Sequence, residues 1–363
     1  MAHVLFLLET PTPQRTPTLD ALAAQGVHLF AYYHRKGDTL RGWGAVKPKH
    51  PHVIIPSGFF RSAVYLTKEV AFSNAKVLCC FGYSRTSNLV AVIVGRIVGA
   101  EIVTRSDSNW LYERSRSRLR KSVKKLVLIA IFGSKVRVWT VGKQNDRYWA
   151  EMGAANRHSI PYEVPNPPVG SVADGRIFRE KHLLGLGPVL LYVGMLEHWK
   201  GIDLLIEAFE TLSESLARLV IVGQGTLYEY VARAAAKDSR IVLVGPLKHD
   251  LLGAAYAAAD LLVVPSRRDA WGLVVNEAQA NGRRVVVSDA VGCAIDRVDE
   301  LNGWTFASED RETLSKVLAS AIEEWKHGWE PIPVREPGDT AMLMLADLRK
   351  LGVIVSSGPT QSA

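Results

Sequence analysis

The feature that most constrains this chain is an alternation of short apolar blocks with longer amphipathic stretches, run through twice. In the second half, apolar blocks stand at 189–193, 218–222, 241–244, 261–264 and 284–288. Each is too short for a helix and apolar on both sides, as a strand covered on both faces must be. Helical patterns fill the gaps at 202–213, 227–237, 251–258 and 271–280, with a last one at 312–325. A helix between two strands returns the chain to the same edge of the sheet, so the strands run parallel. The first half repeats the pattern less cleanly. Its strand candidates are 3–8, 27–33, 53–55, 76–80, 101–105 and 135–141, and its helix candidates 18–25, 87–98, 111–132 and 144–152. Between the halves, residues 161–171 carry Pro161, Pro165, Pro167 and Pro168, which reads as a linker. At 363 residues the chain exceeds what one core serves. The expectation is an α/β protein of two doubly wound, Rossmann-like domains, 1–168 and 172–332. A tail over 333–363 is expected to carry a helix at 341–351 that packs back toward the first domain. Such sheets bind ligands in the crevice outside their strand C-termini, which places the expected site in a cleft between the two domains.

Composition narrows the class further. Hydrophobic residues make up 48% and charged residues 22%, with no low-complexity tract, which excludes a disordered or fibrous chain. The net charge of +8 is unevenly spread: the balance is +14 up to Gly170 and −6 beyond it. A basic half beside an acidic half suggests domains with different partners. The three cysteines, Cys79, Cys80 and Cys293, have neither CxxC spacing nor a disulfide framework, which points to a reducing, cytoplasmic setting. Residues 1–8 are apolar but too short for a signal h-region and lack a basic flank, so they read as a first buried strand. No run approaches the roughly 20 apolar residues that a spanning helix needs.

Chemistry concentrates at the strand ends of the second half. The segment 265–278 leaves an apolar strand at Pro265-Ser266, passes through a loop with Asp269 and Gly272, and opens a helix containing Glu277. Free N–H groups at that helix start can hold a phosphate, and the two carboxylates can accept hydrogen bonds from sugar hydroxyls. The plainer reading makes Asp269 a helix cap and Glu277 a surface residue. An earlier loop places Lys200 between Gly194 and the next helix, where a cation can neutralise a diphosphate; a solvated surface lysine is the alternative. Gly223 and Gly225 end the following strand, allowing close approach of a ligand or satisfying a tight turn. With the turn Ser288 to Gly292, four loops at strand ends carry glycine or charge, and their recurrence favours a nucleotide-sugar site over four separate turns.

At this point the residues resemble a known family. Residues 188–322 resemble the donor-binding domain of family-4 glycosyltransferases, retaining enzymes of the GT-B fold. The family pattern is a strand, G-R-x4-K-G, G-x-G, P-S with an E-x7-E loop, and S-x3-G. Here stand Gly194, Lys200-Gly201, Gly223-Gln224-Gly225, Pro265-Ser266, Gly272, Glu277, Ser288 and Gly292 in that order. The resemblance implies that Lys200 contacts the donor diphosphate and Glu277 the ribose hydroxyls. Asp269 would face the transferred sugar, and the N–H groups of Trp271, Gly272, Leu273 and Val274 would hold phosphate and sugar. The chain departs from the pattern in three places. Asp269 replaces the first Glu, and Met195 replaces the Arg that would otherwise give a second cation, a place that Arg15, Arg267 or Arg268 could fill. Thr10-Pro11-Thr12-Pro13 stands where a glycine-rich loop often follows the first strand. The first half resembles the family in layout alone.

No Asp-x-Asp occurs and no His/Asp/Glu cluster has ligand spacing, so the expectation is no metal and no cofactor beyond the nucleotide-diphosphate sugar itself. In the first half, Arg114, Arg116, Arg118, Arg120, Lys121, Lys124 and Lys125 run directly into the apolar stretch 126–132. Over 114–132 this suits an anionic membrane surface, the alternative being a solvated basic face with a buried apolar end. No nucleic-acid module accompanies the charge. Asp107, after the strand at 101–105, is a candidate catalytic carboxylate on the acceptor side, the alternative being a polar turn. The expected function is sugar transfer with retention from a nucleotide-diphosphate donor to a hydroxyl of a saccharide or lipid-linked acceptor, in polysaccharide or glycolipid assembly. Met195 motivates a second hypothesis, a non-catalytic nucleotide-sugar-binding partner protein. A nucleotide-sugar epimerase of similar build is a third.

Overall fold

Two all-parallel sheets form where the alternation requires them. The computed structural model describes residues 3–37, 46–111, 117–133, 136–335 and 338–353, and the chain divides into two compact units, Met1–Asn166 with Gly338–Ala363, and Pro167–Pro337.

The first unit runs β1 (Val4–Leu8), α1 (Thr16–Ala24), β2 (Leu29–Tyr33), β3 (His52–Ile54), α2 (Phe59–Phe72), β4 (Val77–Phe81), α3 (Thr86–Ile97), β5 (Glu101–Arg105), α4 (Arg118–Phe132), β6 (Arg137–Thr140), α5 (Lys143–Glu151) and β7 (Asn156–Ser159). Its sheet order is β3-β2-β1-β4-β5-β6-β7, every pair parallel. The order reverses between β1 and β4, which is the switch point where open sheets leave a crevice. Along β1 the side chains alternate between two cores. Val4, Phe6 and Leu8 pack with Leu19 and Leu22 of α1. Leu5 and Leu7 pack with Leu66 of α2, Val92 of α3, Leu128 of α4 and Trp149 of α5. Cys79 and Cys80 fall on opposite faces of β4, fully buried, as core residues.

The second unit runs α6 (Val172–Lys181), β8 (Val189–Val193), α7 (Ile202–Glu210), β9 (Arg218–Val222), α8 (Tyr228–Lys237), β10 (Ile241–Gly245), α9 (Leu252–Ala258), β11 (Leu261–Val264), α10 (Leu273–Ala280), β12 (Arg284–Ser288), α11 (Ala294–Arg297), β13 (Gly303–Phe306) and α12 (Arg311–Lys326). Its order is β10-β9-β8-β11-β12-β13, again parallel, with the switch between β8 and β11. The last helix, α13 (Thr340–Lys350), belongs to the first unit, where Met344, Leu345 and Leu348 complete the core beside α1. Its buried Asp347 accepts from Arg137 Nη1 at 2.8 Å and from Trp139 Nε1 at 2.7 Å, so burial of the carboxylate is compensated on both oxygens.

Elements absent from the sequence reading are α2, β7, α6, α11 and β13. The helix expected over 111–132 is described from Arg118; Arg114 and Arg116 lie outside the described residues.

Candidate functional site

The four loops singled out in the sequence follow β8, β9, β11 and β12, which lie side by side in the sheet as β9-β8-β11-β12. They meet at the switch point through backbone contacts that tolerate no side chain. A Cβ on Gly223 would stand 1.8 Å from the Gly194 carbonyl oxygen, and one on Gly225 2.5 Å from that of Leu196. The loop after β8 makes a 3-10 turn over His198–Lys200 and ends at Gly201, with φ of +71° and room for no more than hydrogen against the Pro265 carbonyl. The N–H groups of Arg267 and Arg268 donate to the Trp199 carbonyl at 3.1 and 3.3 Å.

This joining of the loops after β8 and β11 brings Lys200 Nζ to 2.5 Å from Asp269 Oδ2. The same ammonium lies 4.6 Å from the centre of the Trp199 ring. The ammonium and carboxylate are thus held together at the C-terminal ends of the two switch-point strands, sixty-nine positions apart in sequence. Asp269 is fixed by the loop after β12: its N–H donates to the Ala290 carbonyl and its carbonyl accepts from Gly292. Arg267, one of the cations considered as a substitute for the family Arg, makes a two-pronged ion pair with Asp203 at 2.7 and 3.0 Å and also donates to the His198 carbonyl. Burial acts to raise the Asp203 carboxyl, but the Arg267 bonds and charge outweigh it and hold Asp203 below the usual range. Arg267 therefore shapes the Lys200 loop from behind. Arg15, the other distant substitute, belongs to the first unit.

Gly272, at φ +91°, starts α10; a Cβ there would meet Val291 Cγ1 at 2.5 Å. No side chain caps this helix, and Leu273 and Val274 at its start are partly exposed. N–H groups in a first turn have no partner within their helix, so they point outward as donors for an anion. Trp271 is buried, its indole N–H donating to Asn276 Oδ1 at 3.1 Å.

Glu277 is no surface residue. It is 4% exposed, and its Oε2 accepts from the Tyr256 hydroxyl of α9 at 2.7 Å. Burial pushes its carboxyl up from 4.5 to about 7, against the lowering effect of the Tyr256 hydrogen bond. His249 Nε2 lies 3.9 Å from the second oxygen, Oε1, and burial holds that imidazole below its ordinary range. Glu277 Oε1 makes no hydrogen bond among the described residues. Tyr256, His249 and Asp203 were not singled out as parts of this site by sequence, because nothing local to them announces a partner; Arg267 was named as a substitute cation for the diphosphate, and here it pairs with Asp203.

Asp107 belongs to the first unit, on the loop after β5, where its charge acts on Arg15 and Arg105. Among the described residues no group of three or more His, Cys, Asp or Glu is placed to hold a metal ion.

Two units, each with a doubly wound parallel sheet and a switch-point crevice, define the class of the GT-B glycosyltransferase fold. A solved structure of Anabaena Alr3699/HepE, in complex with UDP and glucose, shares it over 98% of this chain and all of that one, with a TM-score of 0.73 at 16% identity. More specifically, residues 187–324, within the second unit, match the family Glycosyl transferases group 1. Two curated relatives match part of the chain. D-inositol 3-phosphate glycosyltransferase of Xylanimonas cellulosilytica is 32% identical over 182 residues, 46% of this chain and 43% of that protein. Glycogen synthase of Thermus caldophilus is 37% identical over 144 residues, 39% and 32% respectively. The chain thus matches less than half the length of each of these relatives.

Proposed function

We propose that this protein is a glycosyltransferase that moves a sugar, with retention at the anomeric carbon, from a nucleotide-diphosphate donor to a hydroxyl of a saccharide or lipid-linked acceptor. The observation that carries the reading is the Lys200–Asp269 pair, held beside the uncapped start of α10 at the switch point of the second sheet. In this reading the diphosphate takes Lys200 Nζ from Asp269 and lies against the N–H groups of Leu273 and Val274. Fixed donors cost no reorganisation as charge grows on the leaving group, which is where such sites do most of their work. Asp269, released from the ammonium, accepts from hydroxyls of the transferred sugar. Glu277 Oε1 accepts from the ribose, and Gly194, Gly223 and Gly225 let the ligand approach the backbone. The bond from the anomeric carbon to the diphosphate oxygen breaks while the acceptor oxygen bonds to the same face. The acceptor proton passes to the departing diphosphate. Asp107 serves on the acceptor side.

The donor to try first is UDP-glucose, since the HepE structures are described with UDP and with UDP-glucose. No resident metal or cofactor is part of the reading, so chelators leave the rate unchanged. Glycolipid or polysaccharide assembly at the inner face of a membrane fits the first unit's surface. The apolar run of α4 is largely uncovered, with Leu126 68% exposed, and Arg120 and Lys125 are exposed on the same helix. On neighbouring α2 and α3, Phe60, Phe72 and Ile97 are each nearly four-fifths exposed. Basic and apolar groups side by side suit an anionic bilayer. No helix among the described residues is long and apolar enough to cross a membrane.

The test is turnover of nucleotide-sugars with and without acceptors. Transfer or slow donor hydrolysis is expected, and Lys200→Ala and Glu277→Ala should each cut kcat/KM by about a hundredfold or more, ~2.7 kcal/mol of transition-state stabilisation. Binding without any release of nucleotide diphosphate supports the partner-protein alternative. A changed sugar still on its nucleotide supports an epimerase. Wild-type kinetics in both variants overturn the proposal.

A further inference from the structure

The first unit has its own switch point, and the cavity there is built from cations. Gln14 and Arg15, on the loop after β1, line it with Phe81 at the end of β4, Arg105 at the end of β5, Tyr162, and Met344 of α13. Its empty space, about 300 Å³, is partly open to solvent. Arg105 is 6% exposed, and its two terminal nitrogens donate to the Ile160 and Pro161 carbonyls at 2.7 and 3.3 Å. Arg15 Nε donates to the Tyr162 hydroxyl at 3.1 Å, and both guanidinium groups stand against the Tyr162 ring, at 5.9 and 5.4 Å. Among the described residues neither arginine makes an ion pair.

Two guanidiniums drawn together, Arg105 buried and Arg15 half-buried, repel each other and lose hydration, a cost that an anion between them would offset. Burial, the largest effect, pushes Arg105 down to about 10, and the charge of Arg15 acts in the same direction. The carboxylate whose charge acts on both is Asp107, which stands beyond ion-pair distance of either. Glu163 also lines the cavity. A separate observation points the same way. Gln14 is 3% exposed, lines the cavity, and its side-chain amide makes no hydrogen bond among the described residues. That amide is free to bond an oxygen placed in the cavity.

We propose that this cavity is an oxyanion site, holding a phosphate or carboxylate group between Arg15 and Arg105 with Gln14 donating a further hydrogen bond. Arginine forks suit such groups because two parallel N–H bonds match two oxygens. If the sugar-transfer reading above is right, the anion is a substituent of the acceptor, and the enzyme glycosylates an acidic acceptor. The site itself does not depend on that reading.

Calorimetric titration of the full chain with inorganic phosphate tests the site without any turnover. Millimolar or tighter binding is expected, weakened roughly tenfold in Arg15→Gln by loss of charge-assisted bonds. Gln14→Leu weakens it by a smaller factor, and Arg61→Gln, an exposed control on α2, leaves it unchanged. Thermal melts of the variants check folding. Phosphate that fails to bind at millimolar concentration, or binds Arg15→Gln as well as wild type, overturns the proposal. Glucose and glucose 6-phosphate then separate the sources. Glucose 6-phosphate binding more tightly than phosphate, with glucose alone not binding, supports an anion borne by a sugar acceptor. Equal or weaker binding supports a free anion at the same residues. A parallel titration with UDP reads the donor site separately, so failure of either proposal is visible by itself.

Discussion

At the residue scale the account turns on Glu277. In the proposed reading, a carboxyl buried beneath α9 accepts from ribose hydroxyls most strongly when it is charged at working pH. Its folded value of about 7 lies above the ordinary 4.5. The stability associated with this group is therefore present below about 4.5 and lost as pH rises through about 7. Ligand binding runs the other way, because ribose hydroxyls favour the carboxylate. UDP-glucose affinity should rise as pH increases through about 7, since its diphosphate diester does not titrate there, and Glu277→Gln should flatten the profile. Calorimetry across the range checks this; a flat wild-type profile removes Glu277 from ribose binding. The residue was legible as a candidate because it stands eight positions after Asp269 in a recognisable loop. Its burial was not legible, because Tyr256 and His249 come from the preceding helical segment and carry no motif. The Lys200–Asp269 contact was likewise invisible, although both residues were named. Two loops must be folded against each other before their charges meet.

At the element scale, glycine sets that closeness. Gly201 both needs a left-handed φ and leaves no room against Pro265. Gly201→Ala should destabilise the protein by about 2 kcal/mol or more, read as a lower denaturant midpoint at unchanged slope. A stability equal to wild type would show that the β8 and β11 loops can separate freely. Among the elements themselves, strands built on an uninterrupted apolar run were readable: β8, β9, β11 and β12 have the limits their sequences suggest, as does β5 with its shorter apolar pair. Those that escaped lacked that signature. β7 reads Asn-Arg-His-Ser and sits at the sheet edge, where only one neighbour pairs with it. α2 buries Ala63, Leu66 and Val70 on one side yet exposes Phe60 and Phe72 on the other, which blurs the helical period. α6 did announce itself, through a capping box at Ser171 and Asp174, but it follows the prolines so closely that it passes for linker.

At the scale of the whole molecule, the parallel two-sheet architecture was legible from alternation alone, whereas a candidate binding site was legible only where loops carry motifs. The second unit has them. The first offers charge, and charge becomes specific only once folding shows which cations are buried together and which are spread over a surface. Arg15 and Arg105 come from two separate strand ends and share one cavity. On α4, Arg120 and Lys125 stay outside with the exposed apolar run, while Lys121 and Lys124 lie over the rings of Trp110, Tyr83 and Tyr148. Replacing Arg114, Arg116, Arg118, Arg120, Lys121, Lys124 and Lys125 with Gln should reduce co-sedimentation with anionic liposomes, more strongly at low salt. Wild-type protein that never co-sediments would end the membrane reading and leave the donor site untouched. The donor site itself is reached most directly by a crystal structure with UDP-glucose bound. The account predicts the diphosphate within hydrogen-bond distance of Lys200 Nζ and the N–H groups of Leu273 and Val274, with the ribose at Glu277 Oε1. A donor seated away from the β8 and β11 loops, with Lys200 still on Asp269, would contradict it.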